Sequence, residues 1–253
     1  MNRILSSRLI RDGRGLASRA ASWVPSLFLP LFVGLALTQN PALIKAQEAK
    51  STPDKQKVAS TPDYKPGDVN LEFSRVYIFV DKTTNLGHTH GVEGKIKDGF
   101  LLEDREGDGK LVFDMRSFVA DTKNARKVFN IDAEIDSATI KKVNQNMLGA
   151  EILDVQKHPE ASLTKATLKK TGKTSNRGTP EYSLDGEFTL HGVTKKVSIP
   201  CDGESKDGWL HVRGRFTIRQ TDFGIKPYSK MFGAVGIKDE LIIQGDLWLV
   251  PKS

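Results

Sequence analysis

Cys201 is the one cysteine of the chain, so no intrachain disulfide can form. Long apolar runs are missing as well. The stretch from Trp23 to Leu37 has 15 residues, is broken by Pro25 and Pro30, and falls short of the ~20 a membrane-spanning helix needs. Catalytic signatures are lacking too: there is no Gly-x-Ser-x-Gly, no His-Glu-x-x-His and no cysteine–histidine pair close in sequence. Gly172-Lys173-Thr174 ends like a phosphate loop, but Thr167 stands where that loop needs glycine, so a hairpin loop is expected. Asp104, Glu106, Asp108 and Gly109 resemble a calcium loop only in composition, because Met115 occupies the closing glutamate position. Catalysis therefore has no visible candidate, and stability must come from burying apolar surface.

The charge is concentrated at one end. Residues 1–46 hold six Lys/Arg and one acidic residue; the remainder has 32 basic and 30 acidic side chains, so net charge falls from +7 to +2. The high pI is thus no argument for nucleic acid or an anionic membrane as a partner of the mature protein. A basic start, a short apolar middle and a small-residue exit through Ala42 and Ala46 describe a secretory leader over 1–46. Cleavage is placed after Ala46, with a site near Ala36 and an uncleaved anchor as alternatives. Residues 47–68, polar and proline-containing, are expected to be a flexible linker, and 69–253 a single domain that is periplasmic or secreted.

What the domain has in quantity is alternation. Tyr182, Leu184, Gly186, Phe188 and Leu190 are apolar or small, with Ser183, Asp185, Glu187 and Thr189 between them. Leu210, Val212, Gly214, Phe216 and Ile218 repeat the pattern. Successive strand side chains face opposite ways, so each run has a dry and a wet face. Further strands are expected at Val76–Val80, His88–Lys97, Leu111–Met115, Ala161–Leu168, Val193–Ile199 and Glu240–Val250. Tyr77 and Phe79 between Val76, Ile78 and Val80 suggest a strand covered on both faces. Asp136-Ser137 can cap a helix carrying Ile140, Val143 and Met147, stopped by Gly149. The fold class is all-β: an eight-stranded antiparallel barrel with one principal helix, closure being the way to remove exposed edges.

His88-Thr89-His90 is the arrangement with chemical content. A strand through both histidines would point both rings inward, where they could hold a metal with His191 or His211, meet a ligand head group, or simply hydrogen-bond at the barrel mouth.

Three segments carry a family resemblance. Tyr182–Pro200 (YSLDGEFTLHGVTKKVSIP) resembles the G-x-L-T-L-H-G-V-T-K-x-V run of the YceI-like polyisoprenoid-binding proteins. Arg219–Glu240 resembles their R-x-D-F-G-I segment, and Met147–Leu163 is similar to their L-x-S-x-D-F-F-D-V-x-x-Y-P stretch, with His158 at the usual tyrosine. The resemblance implies a lipocalin-like barrel with an apolar pocket for an isoprenoid chain, exported and without enzymatic activity or cofactor. Two departures lie where a pocket mouth would be: the Gly87–Gly91 histidine pair and a longer Asn130–Met147 segment.

The expected function is an exported, non-catalytic holder of a polyprenyl phosphate or quinone-like amphiphile. Metal-binding or stress-related use of His88 and His90, or a filled structural barrel, are the alternatives. The expected lining is Phe113, Leu184, Phe188, Leu190, Val212, Phe216 and Ile218, with Phe223, Met231 and Phe232 (and Ile225) shaping one end. His88, His90, Arg219 and Lys226 are the expected polar contacts, and no metal is assigned. Transient membrane contact and a homodimer are left open as further associations.

Overall fold

The computed structural model describes residues 63–252. The expected leader and most of the expected linker lie outside the described residues. The strands are β1 (Arg75–Lys82), β2 (His90–Phe100), β3 (Gly109–Ala120), β4 (Glu160–Thr174), β5 (Pro180–Leu190), β6 (Val193–Lys206), β7 (Trp209–Arg219), β8 (Ser229–Lys230) and β9 (Val235–Leu249). Two helices, α1 (Lys123–Phe129) and α2 (Ser137–Leu148), stand between β3 and β4.

Every pairing between strands is antiparallel, and β9 closes the sheet by bonding to β7 on one side and β1 on the other. The two-residue β8 only adds to the start of β9. The barrel therefore has eight strands, and closure leaves its long strands without free edges.

The alternation decides which way each wall faces. Leu184, Phe188 and Leu190 of β5 and Leu210, Val212 and Ile218 of β7 are buried, whereas Arg215 and Thr217 are exposed. Each fully buried side chain of this kind is worth roughly 1.5–3 kcal/mol. His211 departs from the simple pattern. It sits on the outer phase yet is buried, because its ring stacks on Trp248 at 4.0 Å and Nε2 lies 2.6 Å from Asp246 Oδ1.

One end of the barrel is plugged. Residues 67–70 run beneath it: Gly67 N donates to Val250 O at 2.9 Å, and Leu101 N donates to Gly67 O at 2.7 Å. Leu101, Leu168 and Leu249 fill the space above, at most 1% exposed. The packed body thus starts before the expected boundary at Val69, with Tyr64 edge-on to Trp209 at 5.1 Å.

The other end carries the two longest connections, 121–159 and 220–234. Asp136 caps α2 as expected, its carboxylate accepting from Thr139 N at 2.9 Å. The helix stops at Gly149, whose φ of −73° is ordinary extended backbone rather than a left-handed cap. The seven-residue α1 was not expected; Thr122 caps its start and Asn130, left-handed at φ 52°, ends it. Phe129 of α1 packs on Phe79 at 5.5 Å, which supplies the outer cover inferred for β1. Residues 172–174 belong to β4, and the β4–β5 turn comes after them, at 175–179.

Leu168→Ala would remove an unexposed side chain from the plug. Urea unfolding is expected to show a loss of about 2–5 kcal/mol; a loss below ~1 kcal/mol would mean that the plug does not bear on stability.

Candidate functional site: an apolar cavity with a polar mouth

The barrel is hollow because small residues share one belt of its inner wall. Strand register aligns Gly94 of β2 with Val76 of β1, Gly245 of β9, Gly214 of β7 and Cys201 of β6. A side chain at Gly94 would strike the Phe118 ring at 2.5 Å, and one at Gly214 would strike Cys201 Sγ at 2.7 Å. One at Gly245 would meet nothing within 4 Å. Gly245 follows Ile243 and precedes Leu247 on the inward phase, so the open space it faces is the cavity. That cavity measures about 400 Å³, within the roughly 300–1,000 Å³ typical of ligand pockets.

The lining is divided along the barrel axis. Its middle is aliphatic and aromatic: Leu111, Met115, Leu163, Leu184, Val212 and Leu247 come from five different strands. Nearly all its polar side chains sit at the unplugged end, namely His88, His90, Thr139, Lys142, Asn146 and Gln220. Lys142 and Asn146 stand one turn apart on α2, which puts both on the same helix face. Asn144 holds this helix to the wall, its Oδ1 accepting from Ala120 N at 2.8 Å.

His90 is the most constrained of the polar group. Its Nδ1 lies 2.7 Å from Asp121 Oδ2, and Gly91 N donates to Asp121 Oδ1 at 3.3 Å. Arg126 of α1 approaches the same carboxylate at 3.9 Å. With Nδ1 engaged by the carboxylate, Nε2 is the ring nitrogen left for a guest: an acceptor when the ring is neutral, a donor when protonated.

Cys201 is the polar exception deeper in the wall. Burial, aided by the nearby charges of Asp202 and Asp185, pushes its thiol up to about 12 from the ordinary 9. The neutral thiol is the unreactive form. At pH 8 a maleimide is expected to label the native protein far more slowly than the urea-unfolded chain. Equal rates would show that the cavity wall is open to reagent and that the thiol ionises normally.

Of the expected site residues, His88, His90, Phe113, Leu184, Phe188, Leu190, Val212, Phe216 and Ile218 line the cavity. Phe223 is buried behind it, edge-on to Phe188 at 5.6 Å, and Ile225 is buried nearby in sequence. Arg219, Lys226, Met231 and Phe232 lie outside the lining and are exposed. Arg219 follows the inward Ile218 and so falls on the outer phase of β7. Met231 and Phe232 belong to a turn rather than a strand.

The two mouth histidines do not project as a strand pair. β2 begins only at His90, so His88 is exposed while His90 is buried, with ring centroids 6.2 Å apart. The partners that metal binding would require are engaged elsewhere: His191 packs on His158 at 4.3 Å, and His211 is on the outer wall. Among the described residues no group of three His, Cys, Asp or Glu side chains is placed to hold a metal ion.

Lys142, Asn146, Cys201 and Gly245 are lining positions that sequence reasoning did not reach. Gly245 had a usable signal, since it interrupts an otherwise apolar inward phase of β9. The α2 residues had none, because the helix's position over the mouth is a tertiary fact.

An eight-stranded closed antiparallel barrel with an apolar interior and a polar rim defines the lipocalin-like class. Within it, the chain belongs to the YceI-like family: the YceI-like domain model matches residues 68–248. A UPF0312 protein of Pseudomonas putida is 31% identical over 159 residues, covering 59% of this chain and 72% of that protein. A UPF0312 protein of Pectobacterium carotovorum is 34% identical over 146 residues, covering 54% and 67%. Among solved structures, a polyisoprenoid binding domain from Saccharophagus degradans, implicated in plant cell wall breakdown, aligns with a TM-score of 0.50 at 12% identity. It covers 74% of this chain and 100% of that one. At that identity the likeness is one of fold.

Proposed function

We propose that the protein is an exported, non-catalytic holder of a single isoprenoid amphiphile, a polyprenyl phosphate or quinone-like molecule. The observation that carries this reading is the segregation of the cavity: an apolar interior beneath a mouth that holds nearly all the polar lining. A uniformly apolar guest would gain nothing from that mouth, and a polar one could not displace water from the interior. An amphiphile satisfies both, each methylene-sized group leaving water for about 0.8 kcal/mol.

Phe113, Leu184, Phe188, Leu190, Val212, Phe216 and Ile218 contact the tail in this reading. His90, His88, Lys142 and Asn146 meet the head group. The export part rests on residues 1–46 alone, and the polyisoprenoid binding domain of similar fold supports the tail chemistry.

Gly245→Leu is the sharpest test, because a Cβ there meets nothing within 4 Å and the rest of the side chain extends into the cavity. In native mass spectrometry the protein purified from its own cells should carry one extractable amphiphile and lack residues 1–46. The variant should be equally folded and empty. An empty wild type, or a Gly245→Leu variant that keeps its guest, would contradict the carrier reading. A mass that retains the N-terminal residues would contradict cleavage there.

A further inference from the structure

One rim of the mouth exposes large apolar side chains that nothing among the described residues covers. Leu86 on the β1–β2 connection is 70% exposed, Met231 is 71% exposed, and Phe232 has no side-chain cover at all. The two segments that bear them are tied together: Thr83 N donates to Gly236 O at 2.9 Å, and Thr84 Oγ1 donates to Ala234 O at 2.6 Å. Met231 and Phe232 are left-handed, at φ 52° and 54°, a conformation that is uncommon for bulky residues. Ala234 N closes the turn on Met231 O at 3.1 Å. Left-handed backbone and high exposure thus fall on the same two residues, in a turn that holds them outward.

This tip is continuous with the cavity. Gly87, His88, Tyr228 and Gly236, from the same two segments, line its mouth. The tip is also basic. Lys226 and Lys230 are exposed and form no ion pair among the described residues, and Lys230 Nζ sits 5.5 Å over the Tyr228 ring. The acidic groups nearby are mostly engaged: Asp81 pairs with Lys238 at 2.7 Å, and Asp239 accepts from Thr221 N and Oγ1. Asp222 is exposed on the same segment.

We propose that the 229–234 turn, together with Leu86, is a membrane-contact tip. Met231, Phe232 and Leu86 enter the acyl boundary of a phospholipid surface while Lys226 and Lys230 meet lipid phosphates. A convex apolar point flanked by free cations matches that surface in both shape and charge. The contact sets the cavity mouth against the bilayer, so a water-insoluble guest enters or leaves without crossing solvent. Only this last step rests on the carrier reading.

Vesicle flotation of the purified protein tests the tip. Wild type should float with phosphatidylcholine vesicles, more strongly when phosphatidylglycerol is added. Met231→Ser with Phe232→Ser should weaken binding roughly tenfold per side chain, with an unchanged melting curve. Lys226→Ser with Lys230→Ser should abolish the gain from phosphatidylglycerol. Wild type that floats with neither vesicle, or a serine variant that floats like wild type, overturns the proposal. So does a serine variant that converts a dimer to a monomer without altering flotation, which would make the tip a subunit interface. Organic extraction of the same samples separates the two readings: lost flotation with retained guest upholds the tip, and intact flotation with an empty cavity counts against the carrier alone.

Discussion

Space inside this barrel depends on what its belt of small residues fails to fill. A closed eight-stranded sheet is just wide enough for ordinary inward side chains to occupy its interior. Here the register brings Gly94, Gly245, Gly214 and Cys201 to the same level around Val76. Gly94 and Gly214 are needed for close packing, since a Cβ at either would strike a neighbour. Gly245 is needed for neither packing nor backbone conformation; it simply leaves room. The cavity, and the carrier reading with it, depends on that room.

The two ends of the barrel complement the hollow. The plug of Leu101, Leu168 and Leu249 over the 67–70 segment makes the cavity a blind slot with one way in. The two longest connections, 121–159 and 220–234, lie at the opposite end with the β1–β2 connection, and together they bring α2, the His90–Asp121 pair and the apolar tip to one mouth. The inward face is apolar, the rim carries polar and charged side chains, and the outer lip exposes Leu86, Met231 and Phe232. This ordering from apolar to polar to apolar follows the chain's connectivity, because loops at a single end can combine residues far apart in sequence.

The barrel was legible in the sequence wherever period two ran long. β5 and β7 show it over their whole length, and the inward residues from Leu184 to Ile218 face as the alternation says. Asp136 announced α2 through its capping geometry. The short α1 escaped because KNARKVF has too few turns to display an apolar stripe, and its caps, Thr122 and Asn130, are common loop residues. The mouth was harder to read. Periodicity says nothing about where a loop folds back, so alternation alone puts His88 in a strand and leaves Arg219, Lys226, Met231 and Phe232 at the pocket, where the structure does not place them. Lys142 and Asn146 became visible only once α2 was placed on β3. What sequence reasoning missed is tertiary placement at the open end, not the wall.

A hollow, blind, apolar slot makes a demand that a filled barrel cannot meet. After removal of any natural guest, titration with N-phenyl-1-naphthylamine should show saturable fluorescence enhancement and a blue shift at one probe per chain. An absence of saturable binding by folded, guest-free protein would show the interior to be closed and would contradict the central claim directly.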